Sequence, residues 1–99
     1  MTLREHIKEG ILLLDGAMGT QLTARGAKGN NELWGVEHPD VLADVHRAYV
    51  DAGAQAVITD TFGGNSAKLT KAGLGDRADE LNRRLVEIAR EAVRGRAWV

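Results

Sequence analysis

Ninety-nine residues, 43% hydrophobic and 27% charged, have the composition of one folded domain or part of one, too apolar for a disordered chain. The 13 Lys and Arg against 14 Asp and Glu leave a net charge of -1, so no basic footprint points to nucleic acid. Cysteine is absent, which excludes disulfides, thiolate nucleophiles and cysteine-ligated metal within these residues. The early apolar run Ile11–Leu14 is far too short for a membrane span or a signal peptide, so no membrane partner is expected and the simplest compartment is the cytoplasm.

In chain order, Thr2 with Glu5 three residues on predicts a short capped helix stopped by Gly10. Ile11–Leu14 is continuously apolar, without alternation, as a parallel strand buried on both faces would be. A glycine-bearing turn, Asp15–Thr20, leads into a short helix through Gln21 and Leu22 to Arg25, closing at Gly26. Gly26–Gly35 reads as a polar loop in which Trp34 is a hydrophobic plug. Pro39 and Asp40 then open a helix with Val41, Leu42, Val45, Ala48, Tyr49 and Ala52 on one face, ended by Gly53.

Ala54–Thr61 predicts a second strand centred on Val57 and Ile58. Phe62–Asn65 turns the chain into a short helix, Ser66–Ala72, ended by Gly73. From Gly75 and Asp76 a long helix runs over about 77–94, turning Ala78, Leu81, Leu85, Ile88, Ala89 and Ala92 inward. Ala97–Val99 begins a third strand. Strand, helix, strand, helix, strand is the order of an α/β protein with a parallel sheet and right-handed crossovers. Two open sheet edges imply the first portion of a larger fold, or a piece that assembles with copies of itself.

Ligands of parallel βα folds sit beyond the carboxyl ends of the strands, which selects Asp15–Thr20 and Thr59–Asn65. Asp15 can accept from an ammonium group, and the backbone N–H groups of Gly16 and Ala17 can meet a carboxylate; together they suit the zwitterionic head of an amino acid. The alternative is that Asp15 only caps the next helix. Alternation sets Thr59 and Thr61 on one side of the second strand and Asp60 on the other. Gly63 and Gly64 either admit close backbone approach or relieve a turn. The run Gly16–Thr20 lacks the pattern of a phosphate loop. His6, His38 and His46 have no metal-ligand spacing; His46 reads as a packing or surface residue and His38 as part of a helix entry.

Leu13-Leu14-Asp15-Gly16-Ala17-Met18-Gly19-Thr20-Gln21-Leu22 resembles the opening motif of the homocysteine S-methyltransferase family, which includes the homocysteine-binding barrel of cobalamin-dependent methionine synthases. The resemblance continues in register through Asn31-Glu32-Leu33-Trp34, His38-Pro39-Asp40-Val41-Leu42, Ala52-Gly53-Ala54 and Thr59-Asp60-Thr61-Phe62-Gly63-Gly64-Asn65. It implies that residues 1–99 are the N-terminal part of a (β/α)8 TIM barrel: a capping helix, two βα units and the start of strand three. It further implies transfer of a methyl group to the thiol of homocysteine, bound to zinc as a thiolate, to give methionine. The family's zinc ligands are cysteines from late strands, so the resemblance assigns the metal outside this chain and predicts the chain alone to be inactive.

Carried over by position, Asp15 binds the amino group of homocysteine, with backbone contacts from Gly16 and Ala17, and Thr59, Asp60, Thr61 and Phe62 line the same pocket. Asp60 stands where relatives often have Asn. Gly63 stands where betaine-dependent members have a tyrosine, which favours methylcobalamin, through another domain, or an S-methyl sulfonium as donor. Two other readings compete: a non-catalytic module that self-associates through its sheet edges, and a barrel enzyme using Asp15 and Asp60 for Mg²⁺ or acid–base chemistry.

Overall fold

The computed structural model describes residues 1–99, whose regular structure is six α-helices. In α1, Leu3–Glu9, the Thr2 hydroxyl accepts from the Glu5 N–H (3.1 Å), as the sequence predicts. Glu5 answers the Thr2 hydroxyl and not its backbone N–H, so the cap closes side chain to side chain. Helix α2 covers Gly19–Ala24, and Gly26 beyond it takes a φ of 101° that a residue with a Cβ resists.

The predicted polar loop over 26–35 is a correction. Its second half is helix α3, Asn31–Glu37, started by Asn30, whose side-chain oxygen accepts from the Leu33 N–H (2.9 Å). The Asn cap and Glu32 in the first turn are helix-start chemistry, here outweighing the polar composition. Helix α4, Pro39–Asp51, follows after His38. Trp34 is half-buried against the main core, as a plug should be, and its ring stacks on His38 at 4.0 Å.

Leu42 and Val45 of α4 are buried as predicted, but Ala48 and Ala52 are exposed, and His46 takes a buried position. Helix α5, Ser66–Lys71, is capped by Asn65, and a 3-10 turn at Gly75–Arg77 precedes α6, Ala78–Val93. Leu81, Leu85, Ile88, Ala89 and Ala92 face inward along α6, joined by Val93; Ala78 is only half-buried. Helix α6 packs chiefly on α4 and α3, and Leu22, Ala27, Leu42, Val45, Leu85 and Ile88 form the core between the helices. Each fully buried aliphatic side chain contributes about 1.5–3 kcal/mol through removal from water.

The three predicted strands are reduced to single parallel bridges, Leu14 with Ala56 and Ala56 with Trp98. The bonds are those of a parallel ladder: Gln55 N–H to Leu13 O (2.7 Å), Asp15 N–H to Ala56 O (3.1 Å), Trp98 N–H to Gln55 O (3.0 Å) and Val57 N–H to Trp98 O (2.8 Å). Pairing ends at Val57: the Ile58 N–H goes to the Asp15 side chain, and Thr61 N–H turns back to Thr59 O (2.8 Å), bending the chain where the second strand was expected to continue. Burial on both faces also fails at the first segment. Ile11 is 88% exposed, and Leu13 and Leu14 are exposed too, because no element of this chain covers them. Ala54, Ala56 and Val57 of the middle segment are buried.

Candidate functional site

Two loops meet at one end of the bridged segments, and side chains tie them together. Both Asp15 carboxylate oxygens accept the Ile58 N–H at 3.2 Å, joining the first loop to the second. Asp15 does not cap α2, whose first turn has no side-chain cap. Tyr49, on α4, donates its hydroxyl to Ala17 O (2.6 Å). Its ring leaves little room at Gly16, where a Cβ would lie 3.1 Å from the Tyr49 oxygen. Burial pushes the Asp15 carboxyl upward, and the Ile58 and Asp15 backbone N–H groups only partly offset that.

A cavity of about 320 Å³ opens between these loops and the start of α3. Of the predicted site residues, Gly16, Thr59, Asp60 and Phe62 line it; Asp15, Ala17 and Thr61 do not. Thr59 and Thr61 bring their hydroxyl oxygens to 2.8 Å, across a bend in the chain and not by alternation along a strand. Phe62 is 91% exposed at the rim, and the Lys68 ammonium lies 5.0 Å from its ring centre. Ile58, Met18, Gly19 and Asn31 complete the lining with Glu32, a residue that sequence reasoning missed. Its signal was available: an acid in the first turn after an Asn cap, in a stretch read as loop.

Glu32 and Asp60 are both only 6% exposed. The Glu32 carboxylate accepts the Gly63 N–H at 2.5 Å. Gly63 is therefore a close approach and not merely a turn, since a Cβ there would lie 2.6 Å from that oxygen. Asp60 has one carboxyl oxygen, Oδ2, buried without a partner. Burial, and then the negative charge of Glu32, push the Asp60 carboxyl up to about 7. Fully buried His46 shows the opposite response: both ring nitrogens lack partners, and burial holds the imidazole down at about 4.

The sequence matches the homocysteine S-methyltransferase family over residues 12–99. The chain belongs to that family. Methionine synthase of Mycobacterium tuberculosis is 41% identical to it over 96 residues, covering 89% of this chain and 8% of that protein. Homocysteine S-methyltransferase of Escherichia coli is 41% identical over 90 residues, covering 86% of this chain and 29% of that protein. The crystal structure of the homocysteine methyltransferase MmuM from Escherichia coli, in its oxidized form, superposes with a TM-score of 0.76 at 37% identity. It covers 93% of this chain and 34% of that one, and the metallated form matches with a TM-score of 0.74 at 35% identity. The chain thus spans about a third or less of the length of these relatives.

The residues present do not fit a zinc centre. There is no cysteine among them, and no three His, Asp or Glu side chains come together as a metal-binding group.

Proposed function

We propose that residues 1–99 form the first βα units of a (β/α)8 barrel that transfers a methyl group to the thiol of homocysteine, and that they hold the amino-acid end of the substrate. The family match over residues 12–99 carries this reading. Three parallel-paired segments, with the candidate pocket at one end of them, support the barrel assignment. We assign zinc ligation to residues outside these 99, and leave the donor as methylcobalamin or an S-methyl sulfonium. Methionine is the product.

Asp15 stands outside the cavity lining, next in the chain to Gly16, and each of its oxygens keeps lone pairs free beyond the Ile58 N–H they share. They accept from the substrate ammonium, while the Gly16 and Ala17 N–H groups and the threonine hydroxyls meet its carboxylate. A charge-assisted hydrogen bond of this kind contributes about 1.5–3 kcal/mol, so Asp15→Ala should raise the KM for homocysteine roughly ten- to a hundredfold. The test is methyl transfer by the protein at the length its cell makes, with methylcobalamin and S-methylmethionine each offered as donor. Unchanged KM in Asp15→Ala would remove that residue from the site.

The exposure of Ile11, Leu13, Leu14 and Ile58 favours a second reading, a non-catalytic module that associates with copies of itself. A folded homo-oligomer that binds neither homocysteine nor zinc would decide for it.

A further inference from the structure

Glu32 and Asp60 come from separate parts of the chain, α3 and the second loop, and meet in the wall of the pocket. Both are more than nine-tenths buried, and the unpartnered Asp60 oxygen lies against Gly35, where a Cβ would be 2.8 Å away. The same point faces apolar groups, for that Cβ would also lie 3.1 Å from Leu42 and 3.3 Å from Leu85. An ionised carboxylate has no donor there. Glu32, by contrast, has one, the Gly63 N–H. That bond fixes the far end of the Thr59–Gly63 segment, the stretch that carries the candidate substrate residues.

We infer that Glu32 and Asp60 are a positioning pair in which Asp60 keeps its proton, so that no second charge is set beside the Glu32 carboxylate that holds the Gly63 N–H and with it the shape of the pocket. The groups around Asp60 leave the proton no competitor. From α3 it feels the charge of Glu32; α4 contributes Leu42; α6 contributes Leu85, with its charged side chains exposed or half-buried. Asp15 lies outside the pocket lining and is bonded to Ile58. The elevated Asp60 value of about 7 agrees with this geometry. Because the folded protein binds the proton more tightly than an unfolded Asp does, the stability it contributes is complete below pH 4 and is lost as pH rises to about 7.

The proposal that this pair shapes a homocysteine pocket rests on the functional reading above, but the proton itself does not, and the test separates them. Infrared difference spectra of the substrate-free protein between pH 5 and pH 9 should show a neutral carboxyl C=O band disappearing near pH 7. Asp60→Asn, isosteric and unable to ionise, should remove that band and the matching fall in melting temperature. Glu32→Gln keeps an acceptor for Gly63 and removes the negative charge that helps to raise the Asp60 carboxyl, so the band should disappear at a lower pH than in the wild type. Affinity for norleucine, an amino acid with no thiol to titrate, should weaken in the wild type roughly tenfold per pH unit above 7 and stay flat in Asp60→Asn. No carboxyl band at pH 5–7 in the wild type would overturn the pair, whatever the variants do. The band without amino-acid binding would leave the pair standing and sink the homocysteine pocket. Binding with the same pH profile in Asp60→Asn would do the reverse.

Discussion

The helical layer and the extended segments of this chain are built from the same aliphatic residues, yet they end in opposite environments. Leu42, Leu81 and Leu85 are lost to solvent entirely, while Ile11, Leu13 and Leu14 stand in it. A helix carries its polar and apolar faces with it, so α3, α4 and α6 complete a core by packing on one another. A parallel segment is apolar on both sides and needs covering on both, which no stretch of these residues supplies. Local pattern therefore sufficed for one layer, and only longer-range partners satisfy the other.

The sharpest way to break that contrast is a pair of truncations. Leu85→Ala should lower the unfolding free energy by about 2–5 kcal/mol, through lost burial and the cavity left behind. Ile11→Ala should change it by less than about 0.5 kcal/mol while that side chain remains in water. If chemical denaturation gave both the same cost, another segment or copy would have to cover the edge.

Crowding the tightest junction comes next. A methyl group at Gly35 meets Asp60, Leu42 and Leu85 together, so Gly35→Ala should cost about 1–3 kcal/mol, read from the denaturant midpoint. His46→Leu probes the same helical layer from its polar exception. As pH falls from 6.5 towards 4, the unfolded chain gains the His46 proton first, so the stability His46 contributes above pH 6.5 drains away over that window. The leucine variant should lose this acid-side slope and, freed of two partnerless nitrogens, be no less stable at pH 7. Denaturant titrations at pH 7 and pH 4.5 check it.

A cap should matter less: Asn65→Ala ought to cost about 1 kcal/mol by removing the acceptor for the Lys68 N–H. Smallest of all is the surface pair Arg77–Glu80, where Arg77→Ala should leave the melting temperature where it was.

Much of this was legible in the residues. Thr2, Pro39, Gly53 and Gly73 marked helix ends correctly because caps and positive φ depend on the chain nearby. The inward face of α6 followed from its period. What escaped was non-local. Glu32 was lost inside a stretch judged by its polarity, and nothing nearby in sequence announces that Gly63 and Asp60 will be its neighbours. Asp15 and Asp60, each at the end of an extended segment, also part company, since one bonds a backbone N–H and the other has a carboxyl oxygen buried without a partner.

His46 and Asp60 also act on the same reaction with opposite signs. Between about pH 4 and pH 6.5, folding expels a proton at the imidazole and takes one up at the carboxyl. At these two groups the net exchange with the buffer is close to zero across that span, so they add almost no buffer-ionisation heat to the unfolding enthalpy. Replacing either residue should uncouple the two, making the measured enthalpy depend on whether the solution is buffered by acetate or by a cationic amine.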